Sequence, residues 1–75
     1  MKEQVLAILK EIKPTKDLSE IKDIVDGGYI DSMELLAFIA ALSEQFGIEI
    51  GVEDIVPENF NSVDQMVAMV EKLKG

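Results

Sequence analysis

Residues 31–47, D-S-M-E-L-L-A-F-I-A-A-L-S-E-Q-F-G, contain the pattern that decides the fold. Large apolar residues recur here at intervals of four, three and four positions, which places them on one side of an α-helix. These residues are Leu35, Ile39, Leu42 and Phe46, with Leu36 and Phe38 widening the stripe. Gly47 can adopt the left-handed conformation that commonly ends a helix. The stretch therefore predicts a helix over residues 32–46, with one apolar side turned toward a core.

The start of this helix carries polar residues that have two interpretations. Asp31 and Glu34 have the spacing of a capping box, in which Asp31 accepts a hydrogen bond from a first-turn amide and Glu34 reaches back. Ser32 is then an ordinary first-turn residue, and the spacing alone favours this interpretation. The alternative is that Ser32 is displayed at the loop-to-helix junction for another enzyme to modify.

One further helix is predicted on each side of this one. Residues 3–12 form the first, which ends before Pro14 because a residue that precedes proline disfavours the α conformation. Residues 62–74 form the last, with Asn61 or Ser62 as its cap. The residues expected to face the core are Val5, Leu6, Leu9 and Ile12 in the first helix, and Val63, Met66, Val67, Val70 and Leu73 in the last.

The connections between the helices differ in character. Residues 13–31 form a long irregular segment, and we expect its apolar residues to fold onto the helices. These residues are Leu18, Ile21, Ile24, Val25 and Ile30. Residues 52–56 suggest one or two helical turns that Pro57 ends. Packing in the core or at its rim is expected for Met33, Met66 and Met69. The prediction is an all-α fold, a small four-helix bundle with three main helices and one short helix, in a single domain over residues 1–75.

The composition excludes several kinds of site. The chain has no Cys and no His, so it forms no disulfide and lacks the usual ligands of zinc and iron–sulfur centres. A serine nucleophile needs a base to accept its proton, yet every lysine lies outside residues 23–71. We therefore expect neither an enzyme nor a metal site. At 48% hydrophobic, the chain is too apolar for intrinsic disorder.

The net charge of −8 is distributed unevenly. Residues 23–71 contain eleven acidic residues and neither Lys nor Arg. This sign opposes binding to nucleic acids or to anionic membranes. The chain shows no secretory signal and no apolar run long enough to cross a bilayer, so we expect a soluble, cytoplasmic protein. The charge leaves two interpretations open: partner proteins with basic patches, or a solvated acidic surface that only maintains solubility.

Residues 23–34 also fit part of a calcium-binding loop. Asp23 and Glu34 occupy the first and twelfth positions of an EF-hand pattern. Val25 and Gly27 stand at the third and fifth positions, where they offer no side-chain oxygen. The pattern predicts weak cation binding at most. A weak calcium-binding domain and an unmodified acidic helical interaction module are the two alternatives from other functional classes.

Three segments together resemble the acyl carrier protein family. They are G-Y-I-D-S-M-E-L-L at 28–36, E-Q-F-G-I-E-I at 44–50 and V-D-Q-M-V-A-M-V at 63–70. The signature of that family is an Asp-Ser-Leu or Asp-Ser-Met at the start of the second helix, here Asp31–Ser32–Met33. The similarity covers essentially the whole chain, including its length, helix order and acidity.

The resemblance implies that Ser32 is a substrate for modification. In the family, a phosphopantetheinyl transferase uses Mg²⁺ to move 4′-phosphopantetheine from coenzyme A onto this serine. The terminal thiol of the arm then carries an acyl or aminoacyl group as a thioester, which a chain without cysteine cannot form alone. A helix N-terminus tolerates the added phosphodiester charge. Asp31 would help the transferase and its metal to dock, and Gly27 and Gly28 would let the loop turn tightly.

The resemblance also implies that the second helix is the main docking face of a monomeric carrier. Its partners would be the transferase, an acyl-loading ligase or synthase, and acyltransferases with basic patches. The acids expected to contact them are Asp26, Asp31, Glu34, Glu53, Asp54 and Glu58. Fatty-acid-type carriers usually have another acid where Ala37 stands. This departure favours a specialised carrier, for a lipid or secondary-metabolite pathway, over general fatty acid biosynthesis. An aminoacyl carrier of the D-alanyl type is the alternative.

Overall fold

A computed structural model describes residues 1–75 and confirms that the chain is all-helical. The α-helices are α1, Lys2–Ile12, α2, Ser32–Phe46, and α3, Val63–Lys74; two 3₁₀ turns, Val52–Asp54 and Pro57–Asn59, lie between α2 and α3. The predicted bounds of α2 are confirmed, and those of α1 and α3 differ by one residue at the start. α2 ends as predicted, because Gly47 has φ 63° and its N–H donates to the Ser43 carbonyl.

The predicted short fourth helix is absent as a single element. The chain forms one 3₁₀ turn before Pro57, and Pro57 begins the second turn instead of ending the first. Proline suits the first position of a helical turn because its φ is already in the helical range and its missing N–H would have no partner there. The fold is therefore a compact bundle of three α-helices with two 3₁₀ turns.

The core contains only apolar residues, drawn from every α-helix and from the connections. Phe38 of α2 and Phe60 are both fully buried and meet edge to face, with their ring centroids 6.4 Å apart. Met66 and Met69 are buried as predicted.

Two residues expected to pack in the core or at its rim lie on the surface. Leu36 is 61% exposed and Met33 is 80% exposed. Successive residues are separated by about 100° around a helix axis, so Leu36 projects well away from the stripe that contains Leu35. Met33 lies almost opposite that stripe. Phe38, on the other side of the stripe, is buried as predicted.

The long connection over residues 13–31 folds onto the helices as predicted. Leu18, Ile24 and Ile30 are buried, each at most 4% exposed. Asn61 holds part of this connection: its side-chain oxygen accepts hydrogen bonds from the backbone N–H groups of Val25 and Asp26, both at 3.0 Å. This fixes the segment that leads into α2.

Ser62, and not Asn61, caps α3. The Ser62 hydroxyl accepts a hydrogen bond from the Gln65 N–H at 3.2 Å. Asn61 instead contacts the connection between α1 and α2. Its backbone carbonyl accepts a hydrogen bond from the Ile24 N–H at 2.9 Å. None of the helices combines the length and the apolarity needed to cross a membrane.

Candidate functional site

The start of α2 is closed by a complete capping box. The Asp31 carboxylate accepts a hydrogen bond from the Glu34 N–H at 2.8 Å, and the Glu34 carboxylate accepts one from the Asp31 N–H at 3.0 Å. Asp31 has φ −92° and ψ −179°, the extended conformation expected of an N-cap residue. The predicted capping role of both acids is confirmed.

Ser32 is the first residue of α2 and is exposed. Asp31 supplies the cap, so the helix end does not depend on the Ser32 hydroxyl. The two interpretations of the sequence are therefore compatible: the acids cap the helix, and the serine beside them is exposed.

The loop before Ser32 is anchored from within. Ile24 and Ile30 are buried, and the Tyr29 N–H donates to the Ile24 carbonyl at 3.0 Å. Gly28 has φ 74°, a conformation that residues with a Cβ rarely adopt, so a glycine is required at this turn. The exposed serine therefore follows a segment that packing and hydrogen bonds hold in place.

One cation reaches this site from elsewhere in the sequence. The Lys13 ammonium lies 3.0 Å from Oε2 and 3.2 Å from Oε1 of Glu34. The chain has one other ion pair, in which Lys2 and Asp64 are 3.4 Å apart. Sequence reasoning missed Lys13, since no local pattern connects it to a residue in the next helix.

The six acids expected to dock partners differ in their surroundings. Asp26, Asp31, Glu53 and Glu58 are exposed, whereas Glu34 and Asp54 are half-buried. The Asp26 carboxylate accepts a hydrogen bond from the Asn61 side-chain amide at 2.9 Å. Because Glu34 is engaged by Lys13 and by the Asp31 backbone, it is less available to a partner than the exposed acids.

Sequence reasoning also missed an exposed apolar face on α2. Met33, Leu36, Ala37 and Ala40 are all exposed and recur at the spacing of one helix face. We call these four residues the α2 apolar face. It begins directly beside Ser32. The helical periodicity contains the signal, since it places Met33 nearly opposite the core stripe.

The calcium ligands suggested by the sequence are not brought together. No group of three acidic side chains is arranged to hold a metal ion. Glu34, which an EF-hand loop would use as its bidentate ligand, instead accepts hydrogen bonds from Lys13 and Asp31. The loop geometry therefore speaks against the calcium-binding alternative.

Comparison with known proteins gives a consistent result. Residues 3–70 match a family model described as "Phosphopantetheine attachment site". The chain is 35% identical to the D-alanyl carrier protein of Lactobacillus acidophilus, covering 99% of this chain and 95% of that protein. It is 31% identical to the D-alanyl carrier protein of Streptococcus suis, covering 97% and 94%. It is 33% identical to that of Lactobacillus helveticus, covering 99% and 95%.

Proposed function

The chain belongs to the phosphopantetheine-binding carrier protein family, and from this we propose that it carries D-alanine on an arm attached to Ser32. The family implies a covalently attached 4′-phosphopantetheine. The observation that carries the assignment to Ser32 is the exposure of this residue at the first position of α2, beside a cap that does not use its hydroxyl.

The residues at this helix end suit a phosphodiester. The capping box uses the amides of Asp31 and Glu34, which leaves those of Ser32 and Met33 without an intrahelical partner. Free amides and the helix dipole favour negative charge at this position. The neighbouring carboxylates oppose it, and the Lys13 ammonium offsets part of that repulsion.

Attachment is a phosphoryl-type transfer in which Ser32 is the acceptor. The Ser32 Oγ forms a bond to the phosphorus of the phosphopantetheine group of coenzyme A. The phosphoanhydride bond to adenosine 3′,5′-bisphosphate breaks, and that nucleotide leaves with the electron pair. The serine proton passes to a base of the transferase or to water. When bound, the arm supplies a thiol that holds the cargo as a thioester.

D-alanine replaces the lipid or secondary-metabolite cargo that the sequence suggested, and fatty acid biosynthesis has no support. The relatives named above are D-alanyl carrier proteins, and this chain matches each of them over nearly its whole length. A D-alanyl group is small and bears a charged amine, so it gains little from an apolar interior. The largest core side chains of this chain, among them Phe38, Phe60 and Met66, are fully buried.

Partners supply the catalysis in this proposal. A phosphopantetheinyl transferase installs the arm, and a ligase must activate D-alanine, because a free carboxylate does not acylate a thiol unaided. Both enzymes must approach Ser32. The α2 apolar face lies beside it, with exposed acids such as Asp31 close by in the sequence, so we propose that partners combine an apolar contact with basic residues.

Intact mass tests the attachment site. The chain is incubated with coenzyme A, Mg²⁺ and a broad-specificity phosphopantetheinyl transferase, and we expect a gain of one phosphopantetheine. Ser32→Ala should gain nothing and remain folded. Ser62→Ala is the matched control, since it removes the serine that caps α3 but should leave the gain intact. A gain that persists in Ser32→Ala would overturn the assignment.

The same assay tests the cargo. The modified chain is incubated with ATP and a D-alanine ligase plus either D-alanine or L-alanine, and in a parallel arm with ATP, an acyl ligase and octanoate. We expect a further gain of one alanyl group with D-alanine, released by hydroxylamine as a thioester should be. If the acyl ligase loads octanoate and no alanyl group is gained with D-alanine, the D-alanine assignment is overturned in favour of a lipid-type cargo.

A further inference from the structure

Lys13 is the lysine that the fold places at the capping box of α2. All lysines lie outside residues 23–71, yet the fold places this one against the first turn of α2. The side chains of Lys13 and Glu34 are 33% and 27% exposed, so the pair is partly shielded from solvent. By contrast, the side chains of the Lys2–Asp64 pair are 56% and 76% exposed. Shielding strengthens an ion pair relative to one in open solvent.

The backbone around Lys13 is itself held in place. Lys13 is the C-cap residue of α1, with φ −133° and ψ 70°, and its N–H donates to the Leu9 carbonyl at 2.8 Å. Pro14 follows and disfavours continuation of the helix through Lys13. The long side chain therefore leaves α1 from a fixed point at the end that meets α2.

Lys13 and the capping box share one carboxylate. Glu34 Oε1 accepts from the Lys13 ammonium at 3.2 Å and from the Asp31 N–H at 3.0 Å. Asp31 immediately precedes Ser32. By fixing the Glu34 side chain, Lys13 therefore also fixes the Asp31 backbone just before the serine. Without Lys13, the Glu34 side chain would be freer to turn into solvent.

We infer that Lys13 is a positioning residue for the modification of Ser32, acting through Glu34 and the capping box. This inference rests on the proposed function of Ser32. Lys13 keeps the loop-to-helix junction in the geometry that presents the hydroxyl, and its charge offsets two carboxylates beside the incoming phosphodiester. Its effect is on the orientation of the acceptor, and so on the rate of transfer within the enzyme–carrier complex.

The test compares steady-state kinetics of arm transfer for the parent chain and for Lys13→Met, with coenzyme A saturating and the carrier varied. We expect kcat to fall about fivefold, the size of effect that a loss of near 1 kcal/mol in transition-state stabilisation produces. The KM for the carrier should be unchanged or lower, because the variant is more acidic toward a basic enzyme. Lys13→Arg should restore most of kcat, since it keeps the charge and the donors.

Lys2→Met is the matched control. It removes the other ion pair and the same unit of charge, from a position about 16 Å away along α1. Its kcat should equal that of the parent. Amide hydrogen exchange on the unmodified chains gives a second readout: Asp31 N–H exchange should accelerate in Lys13→Met and not in Lys2→Met.

The outcomes are distinct. If the parent chain gains no arm, or if Ser32→Ala still gains one, the proposed function fails and this inference falls with it. If the parent is modified at Ser32 but Lys13→Met keeps the parental kcat, only the inference is overturned. A raised KM at unchanged kcat also overturns it, because Lys13 would then be a docking contact and not a positioning residue.

Discussion

At the residue scale, Leu36 belongs to the α2 apolar face and not to the core. Leu36 is 61% exposed, so replacing it should change the free energy of unfolding by less than about 0.5 kcal/mol. If the loading ligase buries this side chain, Leu36→Gln should raise the KM for the carrier about tenfold, since burial of a Leu contributes roughly 1.5 kcal/mol. Steady-state kinetics with the D-alanine ligase measures this, and urea unfolding checks the stability.

Ala68→Gln is the control for Leu36→Gln. It introduces the same side chain at an exposed position on α3 and should leave the KM unchanged. An equal rise in KM for both variants would show that the surface at large, and not the α2 face, contacts the ligase.

At the scale of elements, Asn61 connects the loop before α2 to the start of α3. Asn61→Ala removes the acceptor of two backbone N–H groups, of Val25 and Asp26, and the donor to the Asp26 carboxylate. We expect the free energy of unfolding to fall by about 1–3 kcal/mol, because the half-buried Val25 N–H is left without a protein partner. Thermal unfolding should register this as a loss of about 5–15 °C in Tm.

Asn59→Ala provides the comparison for that loss. Asn59 donates one side-chain hydrogen bond, to the Asp54 carbonyl at 2.8 Å, and its removal should cost about 1 kcal/mol. If Asn61→Ala is no more destabilising than Asn59→Ala, the hydrogen bonds between Asn61 and the loop do not contribute significantly to stability.

At the scale of the whole molecule, acidic repulsion opposes folding. The net charge is −8, and the molecule measures 31 × 22 × 20 Å. At about 0.01 M salt the Debye length is roughly 30 Å, so charges repel across the full width of the protein. At about 0.15 M it is roughly 8 Å, and only neighbours interact. Raising NaCl between these concentrations should therefore raise Tm by several degrees, as calorimetry can measure.

The pH provides the control for this salt effect. Near the isoelectric point of about 4.3, the net charge vanishes and the rise in Tm should largely disappear. A rise of the same size at both pH values would point to a non-electrostatic action of the salt. A Tm that does not change with salt at neutral pH would show that self-repulsion is not a significant cost.

Interactions within one turn account for what could be predicted from the sequence. The bounds of α2, the Asp31–Glu34 capping box and the left-handed Gly47 all depend on residues three to five positions apart. The choice between Asn61 and Ser62 as the cap, which the sequence left open, and the wrong expectation for Leu36 concerned residues whose state depends on neighbours in space. Asn61 was a plausible cap, but the loop from the first half of the chain engages it. Leu36 had the hydrophobicity of a core residue, but no other element covers it.

Residue chemistry and local periodicity were enough to predict the all-helical class, the limits of α2, the acidity and the serine that follows the capping aspartate. Each of these follows from residue chemistry or from local periodicity. The contacts between Lys13 and Glu34, 21 positions apart, and between Asn61 and Val25, 36 positions apart, depend on the folded arrangement of the whole chain. Such pairs form only when packing of the apolar stripes brings distant segments together, and no pattern of local spacing contains that arrangement.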